Sequence, residues 1–207
     1  WSGSYVCGPI HRELFGKTLG IIGYGHIGRE VAKRAKAFGM RILACGREAR
    51  AGDEYCEYVS AEAKLDEMLG ASDFVLVAIP LNDHTRDYVN VARLKAMKPS
   101  AVIINVARGA VIEEAALYAA LKSRSIGGAI LDVWYRYPQQ GHNRGPVPWN
   151  HPFHELDNVM LTPHASGWTD GLMPRRSRVV AENLNRLARG EPLINLVRAP
   201  RALKENR

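Results

Sequence analysis

From Thr18 onward, short apolar runs alternate with stretches whose apolar residues recur at helical spacing. A layered α/β fold is the arrangement that satisfies such a rhythm. Residues 18–22 form the first apolar run and end against a glycine; Ile27, Val31, Ala35 and Phe38 follow at helical spacing, and Gly39 stops the helix. The spacing then predicts a strand at 41–45, a short helix at 65–69 and a strand at 74–79. Asn90 is placed to cap a helix running through Met97. Strand 101–106, helix 113–121, strand 128–133 and a last strand at 159–162 complete the series. These strands are nearly continuous in apolar residues, as strands covered on both faces must be, so the expected fold class is α/β with a doubly wound parallel sheet. Ligands of such sheets sit outside the carboxyl ends of the strands.

Two regions break the rhythm. Residues 135–154 are rich in proline, glycine and asparagine and lack periodicity, which marks a long loop of the functional kind. A helix beyond Thr169, with Val179, Leu184 and Leu187 among its apolar positions, ends near Gly190 and Pro192 and is expected to pack on something outside the sheet. The 207 residues therefore divide into a lead-in at 1–15, the main domain at 16–167, a C-terminal helix at 168–197 and a basic tail at 198–207. The first residue is Trp1 and no leader pattern follows it, so part of the natural protein is expected to precede it.

Apolar residues make up 46% and charged residues 24%, a globular composition. No apolar run approaches the roughly 18 residues of a membrane span, so no membrane partner is expected. Cys7, Cys45 and Cys56 form no C-x-x-C pair, which suits a reducing, cytoplasmic setting better than a disulfide framework or a metal site. The net charge of +7 raises the question of nucleic acid. The basic residues are dispersed, however, apart from Arg175, Arg176 and Arg178 and the tail. A solvated helix face explains the cluster, an anionic cofactor some of the rest, and no nucleic acid is expected.

Gly23-Tyr24-Gly25-His26-Ile27-Gly28 is a G-x-G-x-x-G between the first strand and the first helix. In that setting Gly23 permits the tight turn, Gly25 admits a pyrophosphate to the backbone, and Gly28 allows close helix–strand packing. The domain is thus expected to be a Rossmann-type dinucleotide-binding domain, with Ile27 beside the cofactor and His26 on a solvent-facing loop. An NAD-binding domain carries an acidic residue about 20 residues further on, where it holds the adenosine ribose. Gly46 stands there instead, followed by Arg47. Glycine removes repulsion toward a 2′-phosphate, and arginine supplies a charge-assisted donor for it. NADP is therefore favoured over NAD; the alternative is that Arg47 stacks on the adenine.

Residues 16–23 (Gly-Lys-Thr-Leu-Gly-Ile-Ile-Gly), Val77-Ala78-Ile79-Pro80-Leu81 with Thr85, Asn105-Val106-Ala107-Arg108-Gly109, Asp132-Val133-Trp134 and Thr162-Pro163-His164 resemble, in order and spacing, the D-isomer-specific 2-hydroxyacid dehydrogenase family. The resemblance implies hydride transfer between NAD(P)H and a small 2-oxo or 2-hydroxy acid, a homodimer, and a substrate domain largely absent from this chain. It implies that Arg108 engages the substrate carboxylate and carbonyl, that His164 protonates the carbonyl oxygen, and that Asp132 orients the nicotinamide carboxamide. Pro80, Thr85 and Ala107 match cofactor-lining positions.

One position departs from the family pattern. A glutamate before proline, which partners the histidine in D-V-x-x-x-E-P, is replaced by Tyr137 in Asp132-Val133-Trp134-Tyr135-Arg136-Tyr137-Pro138. A phenol can orient an imidazole, but it does not stabilise imidazolium as a carboxylate does. Gln139, Gln140 or His142 are the alternative partners of His164, and Trp168 is placed either to wall the substrate site or to pack elsewhere. The loss of the glutamate also admits a second reading, a nicotinamide-sensing, corepressor-like interaction protein without turnover.

Overall fold

The computed structural model describes residues 13–137 and 147–196. Cys7, Gln139, Gln140, His142 and the tail at 198–207 lie outside the described residues. Eight strands form one sheet: β1 (Thr18–Ile22), β2 (Arg41–Cys45), β3 (Arg50–Ala51), β4 (Tyr58–Ser60), β5 (Phe74–Val77), β6 (Val102–Asn105), β7 (Gly128–Leu131) and β8 (Val159–Leu161). Their order is β3-β4-β2-β1-β5-β6-β7-β8, and every pairing is parallel except that of β3 with β4. The helices are α1 (His26–Ala37), α2 (Leu65–Ala71), α3 (Val91–Ala96), α4 (Glu114–Lys122) and α5 (Leu172–Ala188). This is the α/β parallel sheet that the alternation predicts, with β1 and β2 matched in full and β5, β6, β7 and β8 ending one or two residues early.

Alternate residues of a strand face opposite sides of the sheet. Ile22, Val75 and Val77 accordingly join a buried cluster with α2, α3 and α4, while Leu19, Ile21 and Leu76 join a second cluster with α1. Because the sheet is covered on both faces, the ends of its strands are where a ligand is expected. The strand order runs outward in opposite directions from β1 and β5, which are parallel neighbours, so the switch point of the sheet lies between them, at whose carboxyl ends such sheets bind their ligands.

Only part of the expected apolar stripe of α1 packs. Ala35 is buried and Val31 is half-buried against the same cluster, whereas Ile27 and Phe38 are exposed and Gly28 and Ala32 are buried beside Ala35 instead. The helix lies so close to the sheet that a side chain at Gly28 would bring Cβ within 2.4 Å of the Gly23 carbonyl oxygen. Small residues therefore form the contact, and Ile27 and Phe38 are left outside it. His26 also departs from expectation, since it opens α1 rather than standing in a loop, although it is exposed.

The sequence gives no sign of β3 and β4. They are two and three residues long and sit among charged positions, so neither shows the alternation by which a strand is recognised. The described residues of the 135–154 stretch, 135–137 and 147–154, are less irregular than its composition suggests. Phe153 begins a short 3₁₀ turn (Phe153–Glu155), is fully buried, and lies between the rings of Tyr118 and Tyr135. Glu114 accepts bonds from Asn150 N, Asn150 Nδ2 and His151 N, fixing this segment to the start of α4.

The chain forms two compact units, residues 1–165 and 166–207. In the second, α5 contributes no buried residue, and Val180, Leu184 and Leu187 are exposed along it. Trp168 is likewise exposed. Among the described residues no helix is long and apolar enough to cross a membrane.

Candidate active site

The turn after β1 works by what its glycines lack. Gly23 has φ +97°, a left-handed conformation that other residues rarely adopt, and a Cβ there would lie 2.6 Å from Ile79 Cγ2 and 2.7 Å from Ala78 O. Gly25 is the reverse case: it is exposed, and a Cβ on it would meet nothing within 4 Å. It precedes α1 and offers no side-chain cap, so the first N–H groups of a twelve-residue helix face outward without a side-chain acceptor. An open glycine before an uncapped helix N-terminus fits the diphosphate of a dinucleotide.

The turn is braced from the side of β3. Tyr24, buried between the two glycines, donates its hydroxyl to Asp53 Oδ1 at 2.6 Å, and the Tyr55 and Cys56 N–H groups donate to the same oxygen. Asp53 Oδ2 is shut off from solvent and faces Arg29 Nε at 2.9 Å. Burial alone would raise the Asp53 carboxyl, but these donors and the Arg29 charge carry it below the usual carboxylate range. Arg50 donates to the Tyr24 carbonyl at 2.7 Å.

Beside the turn, Gly25, His26 and Ile27 share a cavity of about 590 Å³ with Ala78, Ile79, Pro80 and Leu81 from the end of β5 and Val106, Ala107 and Arg108 from the end of β6. Six of the residues singled out in the sequence thus meet at one place. Arg108 is exposed, and its Nη1 donates to Ala107 O at 2.6 Å. Its loop is held by Asn105, whose buried amide accepts from Ala107 N and donates to Arg108 O, each at 3.0 Å. Gly109 then packs so tightly against Trp134 that its Cβ would stand 2.4 Å from the Trp134 carbonyl.

His164 follows β8, exposed and at φ +58°, a left-handed conformation uncommon for any residue with a side chain. Its loop is tied to the end of β7. Asp132 is buried, and its Oδ1 accepts from Thr162 Oγ1 at 2.6 Å and from Ala165 N at 2.8 Å, bracketing His164 on both sides. Trp134 Nε1 donates to Thr162 O at 3.0 Å, and Trp134 N donates to the Tyr137 hydroxyl at 3.0 Å. The Tyr137 ring lies 5.5 Å from the His164 ring at 53°. The structure thus brings Tyr137 to His164, with the phenol oxygen accepting from the backbone and the ring beside the imidazole.

Other expected residues lie apart from the cavity. Gly46 and Arg47 follow β2, and Arg47 is exposed. Thr85 closes its own loop, donating to Pro80 O at 2.6 Å and accepting from Asn82 N at 2.8 Å. Cys45 and Cys56 are buried, which raises both thiols. Among the described residues no group of three or more His, Cys, Asp or Glu side chains could hold a metal ion. A second cavity, about 530 Å³, runs along β2 beside Arg41, Cys56 and Met68 and contains none of the candidate catalytic or cofactor-binding residues.

Asn105, Trp134, Thr162, Tyr24 and Arg50 were not assigned roles from the sequence. All but Arg50 carried a signal, through their places in the Gly23–Gly28, Asn105–Gly109, Asp132–Trp134 and Thr162–His164 motifs.

A Rossmann-like sheet with a glycine turn, an arginine after β6 and a histidine after β8 defines an NAD-binding domain of the dehydrogenase type. Residues 4–166 match the family described as "D-isomer specific 2-hydroxyacid dehydrogenase, NAD binding domain", and the chain belongs to that family. It is 43% identical over 180 residues to a glyoxylate reductase of Pyrococcus furiosus, covering 86% of this chain and 50% of that protein. A D-isomer specific 2-hydroxyacid dehydrogenase of Xanthobacter autotrophicus, solved with NADPH and MES, superimposes with a TM-score of 0.78 at 31% identity, over 92% of this chain and 75% of that one. An NADPH-dependent glyoxylate/hydroxypyruvate reductase of Sinorhizobium meliloti, solved with NADP and sulfate, gives 0.78 at 29% identity, over 92% and 58%. The chain spans about half the length of the curated relative it matches.

Proposed function

We propose that this chain is the cofactor-binding portion of an oxidoreductase that reduces a small 2-oxo acid with NADPH in preference to NADH. The observation that carries the reading is the meeting of the open Gly25 turn, Pro80, Ala107 and Arg108 around one cavity at the carboxyl ends of β1, β5 and β6. The dinucleotide, when bound, supplies the hydride. Gly25 and the first turn of α1 hold its diphosphate, and Gly46 and Arg47 receive the adenosine 2′-phosphate. Arg108 presents a planar fork to the substrate carboxylate and carbonyl oxygen. His164 donates the proton that the carbonyl oxygen takes up on reduction. Asp132 brackets the His164 loop and, by family resemblance, faces the nicotinamide carboxamide.

Residues 16–167 would form the cofactor domain, and the helix at 168–197 would return to a substrate domain supplied by further sequence. We infer a cytoplasmic homodimer from the cysteine usage and the family resemblance. The non-catalytic reading draws no support from the relatives above, whose names are those of enzymes.

The test is loss of NADPH absorbance by the full-length protein with glyoxylate, hydroxypyruvate and pyruvate. Reduction of at least one of them is expected, together with loss of that activity in Arg108→Gln at unchanged NADPH affinity. A full-length protein that binds NADPH and consumes it with none of the three would overturn the reading. The 207-residue chain alone should bind NADPH and turn over none, because donor and acceptor must be enclosed to align.

A further inference from the structure

Trp134 reaches the surroundings of His164 from two directions, with its side chain toward Thr162 and with its backbone toward Tyr137. Its indole N–H donates to the carbonyl of Thr162, two residues before the histidine, and its backbone N–H donates to the hydroxyl of Tyr137, whose ring lies 5.5 Å from the imidazole. It is itself fixed: the residue is buried, its backbone walls Gly109 in the loop after Arg108, and its ring packs at 5.0 Å on Trp149. His164 needs such support, because its left-handed backbone persists only where the surroundings impose it.

We propose that Trp134 is a positioning residue for proton transfer, setting the place of His164 through Thr162 on one side and Tyr137 on the other. This rests on the assignment of His164 as the proton donor. The Tyr137 hydroxyl accepts from Trp134 N, so the tyrosine meets the histidine with its ring. Orientation that a carboxylate supplies elsewhere in the family by accepting a bond is here supplied by packing, with Trp134 holding the packed ring in place. An indole N–H on a buried ring is a rigid donor, and its removal leaves the Thr162 carbonyl without that partner.

The variant that tests the side-chain part of this role is Trp134→Phe, which keeps an aromatic ring against Trp149 and the backbone N–H to Tyr137 but removes the indole donor together with part of the ring. In the full-length protein it should lower kcat by about 10- to 100-fold, as a small misplacement of a reacting group does, while the NADPH Kd stays within about twofold. Unchanged kcat, or an equal loss of NADPH affinity, would overturn the proposal. Two NMR measurements on the 207-residue chain do not depend on activity. In the parent chain the Trp134 indole N–H should exchange with solvent at least about tenfold more slowly than an exposed indole, and exchange at the free rate would overturn the proposal without any variant having to fold. In Trp134→Phe the His164 imidazole resonances should move while those of His26 stay; an unmoved His164 would overturn it as well. A parent protein that reduces no 2-oxo acid would bring down the oxidoreductase reading, and the two NMR results would still decide whether Trp134 positions His164.

Discussion

At the end of β1 the proposed site is bare backbone, and at the ends of β6 and β8 it is long side chains on loops. The first region is built by exclusion: Gly23 and Gly28 have no room for a Cβ, and Gly25 has room that must stay free. The second is built by attachment. Asn105 ties the Arg108 loop, while Asp132 and Trp134 tie the His164 loop from a neighbouring strand. A diphosphate needs many N–H groups at close range, which only exposed backbone supplies. A carbonyl being reduced needs one cation and one proton donor in fixed places, which only braced side chains supply.

The largest expected effect separates two glycines of the same turn. Gly23→Ala forces a Cβ against the Ala78 carbonyl in a left-handed backbone and should lower stability by about 3 kcal/mol or more. Gly25→Ala meets nothing in the fold, so urea unfolding should barely change, while NADPH affinity falls at least about tenfold as the methyl intrudes on the diphosphate. A stable Gly23→Ala, or a Gly25→Ala that binds like the parent, would dissolve the contrast between packing glycine and ligand glycine.

Next in size is the brace on the other side. Asn105→Ala leaves the buried Ala107 N–H without its partner and the Arg108 carbonyl with the Val111 N–H alone. It should cost about 2 kcal/mol of stability and reduce turnover in the full-length protein, with the NADPH Kd within about twofold. A loss of NADPH binding as large as the loss of turnover would mean that the two regions are not separable.

The two regions also differ in how far they could be read from the sequence. The glycine turn is local: strand, glycines and helix follow one another within a dozen residues, and each has its own signal. The braces are not local. Thr162 meets Asp132 across 30 positions and Trp134 across 28, and nothing in either segment names the other as partner. The same limit hid the packing face of α1. Helical spacing selected Ile27, Val31, Ala35 and Phe38, but Gly28 draws the helix so near the sheet that the small Ala32 joins Ala35 in the contact while Ile27 and Phe38 stay exposed. Short β3 and β4 went unseen because a strand of two or three residues carries no period. Tyr137 was legible as a departure from a motif, but only the structure turns its ring toward His164 and its hydroxyl toward the backbone.

A smaller effect is expected at the adenosine end, where a side chain rather than backbone sets the choice of cofactor. Arg47 is exposed, so its contact with a 2′-phosphate is screened by solvent, and Arg47→Ala should weaken NADPH by about 1–2 kcal/mol while leaving NADH unchanged. Arg50→Ala should do less, since that guanidinium already spends a donor on the Tyr24 carbonyl. Equal loss for both cofactors, read by fluorescence titration, would instead favour stacking of Arg47 on the adenine.

The smallest effect tests whether the glycine turn depends on a brace of its own. Asp53 accepts from the Tyr24 hydroxyl and two backbone N–H groups beside the Arg29 charge, which together hold its carboxyl below the usual range against the opposing effect of burial. A carboxyl depressed in the folded state stabilises the fold at pH values above the unfolded carboxyl's titration and loses that contribution as pH falls through the folded one. Asp53→Asn should therefore be less stable than the parent by about 1 kcal/mol near neutral pH, a modest figure because the group is partly open to solvent. The two stability curves should converge as the pH is taken down through the acid range, where the parent's carboxyl also becomes neutral. If they run parallel at every pH, the charge on Asp53 contributes nothing and Tyr24 is held by packing alone. The turn after β1 would then be braced by shape on all sides, and reliance on buried polar ties would be confined to the loops that carry Arg108 and His164.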